Sequence, residues 1–222
     1  YLMFNGENLD AISLELKAQF PQFYHGLFLI EKISNANLHN ISIEISSELW
    51  PNAGLGSSAS TAIALITGLD KFYKLNLSIE KISSIAFEME KIVHGKPSGI
   101  DNAICSHGGI LKYQFGNLEF FQEIDKLPIL IINSGEIHHT KAAIQKVMAL
   151  KEKNPKKVES IFSEIKHITN FAAKWIKKNR FSFLYSLIEE NQALLQYLGL
   201  STPKINQIIN ISKEIGVSSV KI

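Results

Sequence analysis

The sequence predicts an α+β fold, with strands and helices mixed in the first half of the chain and helices dominating the second. Three observations predict it. The stretch NISIEIS alternates Ile41, Ile43 and Ile45 with Ser42, Glu44 and Ser46, the period of a strand with one wet face. ILKYQF and LEFFQEI flank Gly116 and Asn117 as the arms of a hairpin. From Thr140 onward the apolar residues recur at helical spacing.

Taken in order, the opening to about Gln22 gives a weak signal, with Ile12, Leu14 and Leu16 alternating before Pro21. Phe23 to Ile33 is apolar enough for a buried helix. After the strand at Ile41 to Ile45, the glycine- and serine-rich PNAGLGSSAS leads into a helix over Ser58 to Tyr73, rich in Ala, Leu and Ile. A second helix is predicted from Ser78 to His94, where Ile79, Ile82, Ile85, Ala86, Met89, Ile92 and Val93 keep helical spacing. GKPSGIDNAICSHGG then reads as loop around Pro97, and LPILIINSG as a further strand. Character changes near Gly135, which divides the chain into 1–134 and 135–222. In the second part KEKNPKK is a solvated turn between helices. Leu184, Leu187, Ile188, Leu194, Leu195 and Leu198 form a stripe in which Asn191 takes an apolar place and calls for a buried partner.

Composition removes several classes of function. The 222 residues, 45% apolar, can bury a substantial core. Lys and Arg total 23 against 21 acidic residues, a net charge of +2, so no broad basic surface for nucleic acid is expected. No apolar run reaches the roughly 18 residues of a spanning helix, so no membrane partner is expected. The single Cys105 cannot form an internal disulfide, which suits the cytoplasm. The chain opens on Tyr1 and stops inside the strand-like VSSVKI, a pattern expected of a fragment trimmed at both ends.

The loop Pro51–Ala59 carries the first chemistry. A glycine-rich turn opening a helix is an anion site, because the first backbone N–H groups have no partner within the helix and the dipole favours negative charge. Gly54 and Gly56 let the backbone approach a phosphate, and Ser57 and Ser58 add hydroxyls. A plain helix cap uses the same residue types. A Walker loop is excluded, since GxxxxGK[ST] is absent. Gly54, Gly56 and Ala59 do match the dinucleotide fingerprint, but the strand before them alternates and a second helix, not a strand, follows.

Glu90 falls at the margin of the apolar arc of its helix, where a carboxylate needs a partner. A salt bridge or a Mg²⁺ ion bound to phosphate would serve. Asp101, in PSGID, is a turn former or helix cap when read alone, and becomes a candidate general base only beside the phosphate loop and Glu90. A hydrolase set built from Ser98, His94 and Asp101 lacks the GxSxG elbow. His138 and His139 are neighbours whose side chains point apart, so they do not form a metal pair.

These residues carry a resemblance. PNAGLGSSAS is similar to the ATP loop of the GHMP small-molecule kinases, and EKIVHGKPSGIDNAICSHGG, GEIHHTKAAI and IEENQALLQYLGL resemble further segments of that family, closest to its mevalonate kinase branch. The resemblance covers most of the chain from about Phe23 onward. It implies a two-domain fold with a ribosomal protein S5 domain 2-like N-terminal part and a ferredoxin-like helical C-terminal part. It implies that Pro51, Asn52, Ala53, Gly54, Leu55, Gly56, Ser57, Ser58 and Ala59 wrap ATP, and that Ser58 and Glu90 hold Mg²⁺. Asp101 would take the proton from the C5 hydroxyl of mevalonate, with His94, Ser98, Gly99 and Thr140 near the substrate. The family's first motif, with its lysine, and its third, glycine-rich motif are not in this sequence. A related alcohol as substrate, a nucleotide-binding module without catalysis, and a homodimer stay open.

Overall fold

The computed structural model describes residues 2–6, 14–34, 38, 41–50, 53–122, 124, 127, 129–136, 140–217 and 219–222. The chain divides into two compact units, Tyr1–Phe120 and Phe121–Ile222. The compact boundary thus precedes the change of composition at Gly135, because the apolar segment leading into Gly135 goes with the second unit.

In the first unit β1 (Leu2–Gly6) pairs antiparallel with β2 (Ile41–Ile45), in a register that sets Leu2 opposite Ile45 and Gly6 opposite Ile41. Between them run α1 (Leu14–Gln19) and α2 (Pro21–Ser34). The alternation of Leu14 and Leu16 therefore sits in a helix, and Pro21 starts the next helix, where its missing N–H costs nothing. The alternation in β2 behaves as its period predicts: Ile41 is buried while Ser42 and Glu44 are exposed.

Two helices then build the core. α3 (Ser57–Tyr73) buries Ala59, Ala62, Ile63, Leu65, Ile66 and Leu69. α4 (Ile79–His94) starts behind Ser78, whose side chain accepts from the Lys81 N–H at 3.3 Å, and buries Ile82, Ile85, Ala86, Met89 and Glu90. These faces meet Leu27 and Ile30 of α2 together with Leu38 and Ile41. Gly26 marks the closest approach of α2 to α4: a Cβ built there would lie 2.6 Å from the Met89 sulfur. The ends of the predicted α4 stripe differ from expectation. Ile79, Ile92 and Val93 are exposed.

The segment after Pro97, expected as loop, contains α5 (Ile100–His107), which packs on α3 and α4. Its glycines are the boundaries: Gly99 at φ 85° precedes the helix and Gly108 at φ 70° ends it. β3 (Ile110–Gln114) and β4 (Asn117–Phe121) form the predicted hairpin, with Phe115 and Gly116 both at positive φ (48° and 84°) in the two-residue turn.

The second unit is helical: α6 (Thr140–Lys153), α7 (Pro155–Ile176), α8 (Leu184–Tyr197) and α9 (Pro203–Glu214). Asn154 and Pro155 turn the chain between α6 and α7, and Val158, Ile161 and Leu198 form the centre of the core. Two expectations fail here. The described residues of LPILIINSG and VSSVKI carry no strand; Ile129 and Leu130 are 72% and 84% exposed. An apolar run becomes a strand only against a neighbouring ladder, and none is described beside either segment. The buried amide of α8 is Gln192, not Asn191. Gln192 donates to Ser201 Oγ at 3.2 Å and accepts from the Ile222 N–H at 3.1 Å, whereas Asn191 is only half-buried.

Candidate active site

The turn before α3 is built on glycine backbone. Gly54 and Gly56 take φ of 74° and 68°, the left-handed region, and Gly56 is the residue that caps the helix. The N-cap residue Gly56 offers no side-chain cap to the N–H groups of α3, in contrast to α4 and α9, which Ser78 and Thr202 cap. The amides at the start of a 17-residue helix, with their share of the dipole, thus open on a side-chain-poor turn. The serines and threonine of this turn bond backwards into the helix: Thr61 Oγ1 donates to the Ser57 carbonyl at 2.7 Å and Ser60 Oγ does so at 3.1 Å. Ser58 is different. Its Oγ donates to Glu90 Oε1 at 2.5 Å, across from α3 to α4.

Glu90 is 6% exposed, more deeply placed than the margin of an amphipathic arc suggests. Its other oxygen faces the His94 imidazole, with Nε2 3.9 Å from Oε2 one helical turn on. Lys91, the nearest lysine in sequence, pairs with Glu88 instead, at 2.7 Å. The salt-bridge partner is therefore a half-exposed histidine at the edge of ion-pair range, and the close contact is a hydroxyl.

Asp101 stands in the first turn of α5 and is exposed, not on a loop as the glycine flanks suggest. The turn before it is clamped. Tyr113 of β3 donates its hydroxyl to the Ser98 carbonyl at 2.5 Å, and a Cβ on Gly99 would come 3.0 Å from the Tyr113 oxygen and 3.3 Å from the Phe87 ring. Only glycine fits at 99, on grounds of space as well as φ. The clamp sets α5 so that a Cβ placed on Gly56 would lie 4.0 Å from Asp101 Cβ and 3.6 Å from Cys105 Sγ. Burial first, then the Asp101 and Glu90 carboxylates, push the Cys105 thiol above its ordinary pKa. That thiol lies within electrostatic reach of both acids, and its Sγ is 3.9 Å from the Gly56 carbonyl oxygen.

The residues thus brought together are Gly54, Gly56, Ser57, Ser58, Glu90, His94 and Asp101, with Ser98 and Gly99 forming the clamp beneath Asp101. Pro51 and Asn52 lie outside the described residues, as do His138 and His139. Thr140 opens α6 in the second unit, and its side chain is outside them too. Cys105 packs against the core of the first unit; the sequence reading missed Asn102, which is 2% exposed with neither side-chain amide atom hydrogen-bonded among the described residues.

Chemically the arrangement offers a cluster of amides for an anion, two adjacent oxygen ligands, and a carboxylate at the rim. Hard oxygen donors from Ser58 and Glu90 suit Mg²⁺, which needs only one or two protein ligands when phosphate supplies the rest. No group of three or more His, Cys, Asp or Glu gathers as a metal cage among the described residues. No helix among the described residues is long and apolar enough to cross a membrane.

Comparison with known proteins gives the arrangement its relatives. Residues 24–109 match the family GHMP kinases N terminal domain, a span that holds the loop, Glu90 and Asp101. The chain is 31% identical to the mevalonate kinase of Thermococcus sibiricus over 187 residues, covering 82% of this chain and 56% of that protein. It is 30% identical to that of Schizosaccharomyces pombe over 212 residues, 86% and 52% respectively. Among solved structures, the Methanococcus jannaschii mevalonate kinase superposes with a TM-score of 0.72 at 25% identity, covering 95% of this chain and 67% of that one. The L. major mevalonate kinase in complex with R-mevalonate does so at 0.67 and 22%, with 92% and 65% covered. The fold is that of these kinases, as the sequence predicts. The chain spans a little over half the length of the curated relatives it matches.

Proposed function

Because the chain belongs to the GHMP kinases, we propose that it carries the nucleotide-binding and base-bearing part of an enzyme that transfers the γ-phosphoryl group of ATP to the C5 hydroxyl of mevalonate, yielding 5-phosphomevalonate and ADP. The observation that carries this reading is the meeting of Ser58 Oγ and Glu90 Oε1, 2.5 Å apart, on a glycine turn that also packs against Asp101.

Each residue has a task that its placement allows. The amides from Ala53 to Ser57 wrap the phosphates, where Gly54 and Gly56 keep side chains out of the way. Ser58 and Glu90 would hold Mg²⁺, which would supply neutralisation of the phosphate charge. Asp101, at the exposed rim of α5, accepts the proton of the substrate hydroxyl as its oxygen attacks phosphorus. His94, Ser98, Gly99 and Thr140 belong to the alcohol's side of the site. Phosphoryl transfer asks for positioning and charge neutralisation more than for covalent chemistry, so this small set suffices on the part of the protein in hand. The unpaired Cys105 accords with a cytoplasmic enzyme.

The test is a panel of mevalonate, phosphomevalonate, homoserine and galactose offered with ATP and Mg²⁺ to the complete polypeptide, read by ADP release. Turnover with mevalonate is expected. Turnover with galactose or homoserine alone would replace the substrate, and nucleotide binding without turnover would reduce the protein to a binding module.

A further inference from the structure

Asn102 is the described residue whose side chain the fold leaves least accounted for. Its side chain is 2% exposed and neither the amide nitrogen nor the amide oxygen has a hydrogen-bond partner among the described residues. A buried amide in that condition destabilises the folded chain, and native proteins keep such a group only where something completes it. Leucine has the same branched side-chain skeleton and no such need, and the neighbouring buried position on α5 is filled by Ala103.

Its place on α5 indicates what completes it. Asp101 and Cys105 lie on the helix face that packs against Gly56, and Asn102 is the next position around the helix from that face. α5 also packs on α4, which supplies Glu90. In the present state Ser58 and Glu90 satisfy one another. A cation on Glu90 and an anion on the loop would break that bond and redirect both groups, so the polar surroundings of α5 change on occupancy.

We propose that Asn102 is a positioning residue whose amide acquires its hydrogen-bond partners when the Ala53–Ser57 turn takes a magnesium-bound nucleotide, coupling nucleotide binding to the seating of Asp101. The proposal rests on the nucleotide reading above. It makes two effects of one substitution opposite in sign, which a residue that only packs, or one permanently bridged by water, would not do.

The experiment is thermal melting of the full chain with and without MgADP, and MgADP titration calorimetry, for the wild type, Asn102→Leu and Asn102→Ala. Asn102→Leu is expected to raise the nucleotide-free melting temperature by about 2–4 °C, as removal of an unpaired buried amide does, yet to weaken MgADP binding by about tenfold or more. Asn102→Ala, which opens a small cavity, is expected to melt lower and to show the same loss of affinity, so the coupling is read even if the leucine variant folds poorly. MgADP binding to either variant as tightly as to the wild type overturns the role of Asn102 and leaves the nucleotide reading intact. A wild-type chain that neither shifts nor binds with MgADP overturns the nucleotide reading itself, and this proposal with it.

Discussion

Replacing Glu90 with Gln separates a carboxylate kept for a cation from one kept for the fold. In the nucleotide-free protein the side chain accepts from Ser58 at 2.5 Å and faces His94 only at 3.9 Å, while being 6% exposed. Gln keeps the shape and an acceptor for Ser58, so the change trades a charge-assisted hydrogen bond for a neutral one, a loss of about 1 kcal/mol. Against it stands the desolvation of an ionised carboxylate, several kcal/mol per buried ion, which a half-exposed imidazole at that distance offsets only in part. The desolvation relieved is at least as large as the bond strength lost, so Glu90→Gln should be no more than about 1 kcal/mol less stable than the wild type in an EDTA-treated urea melt, or more stable than it. The Mg²⁺ concentration for half-maximal ADP release should rise by about tenfold or more, because the neutral amide is a poorer ligand for a hard cation. A variant that unfolds several-fold more easily in EDTA but needs no more Mg²⁺ than the wild type would return Glu90 to a structural role, and the cation site with it.

Asp101→Asn, in the complete polypeptide, should lower turnover by at least about 10²-fold with little change in ATP affinity, since the lost function is proton acceptance at the rim; steady-state kinetics with near-normal turnover would remove Asp101 from its role. Cys105 is the only cysteine, so iodoacetamide labelling reports on it alone; with its pKa raised by burial and two carboxylates, it should label more slowly than a free thiol near pH 8, and more slowly still with MgADP over the Gly56 turn. The sign for stability follows: the unfolded chain loses the thiol proton first, so the contribution of Cys105 is full below about pH 8.5 and declines as the pH rises towards the higher folded value, visible as a loss absent from Cys105→Ser in urea melts. Met89→Ala should cost about 2–5 kcal/mol in the same melts, because Met89 is fully buried between α2 and α4; a loss below about 1 kcal/mol would mean that the Gly26 contact collapses to fill the space.

Much of the first unit was legible in the sequence because its information is local. The Ile41–Ile45 alternation, the two apolar stripes of α3 and α4 and the hairpin turn each follow from a short-range period or a turn residue, and each stands where it was expected to within a residue or two. α5 was misread for a local reason as well. Pro97, Gly99, Gly108 and Gly109 punctuate the segment, and the eight residues between them are too few for a period to show. Those glycines turned out to be helix boundaries.

By itself the sequence determined the glycine turn, the helix that follows it and the identity of the acids, since backbone freedom at Gly54 and Gly56 and the absence of a lysine signature are properties of residues in a row. Only the tertiary structure decided that Ser58 donates to Glu90, 32 positions along the chain, that Tyr113 and Phe87 fix the turn beneath Asp101, and that Asn102 is buried without a partner among the described residues. The physical reason is that a helical period says which face of a helix is buried but not which helix covers it. The distances that let two oxygens meet one cation arise from the packing of α3, α4 and α5 on one another, which no single segment encodes.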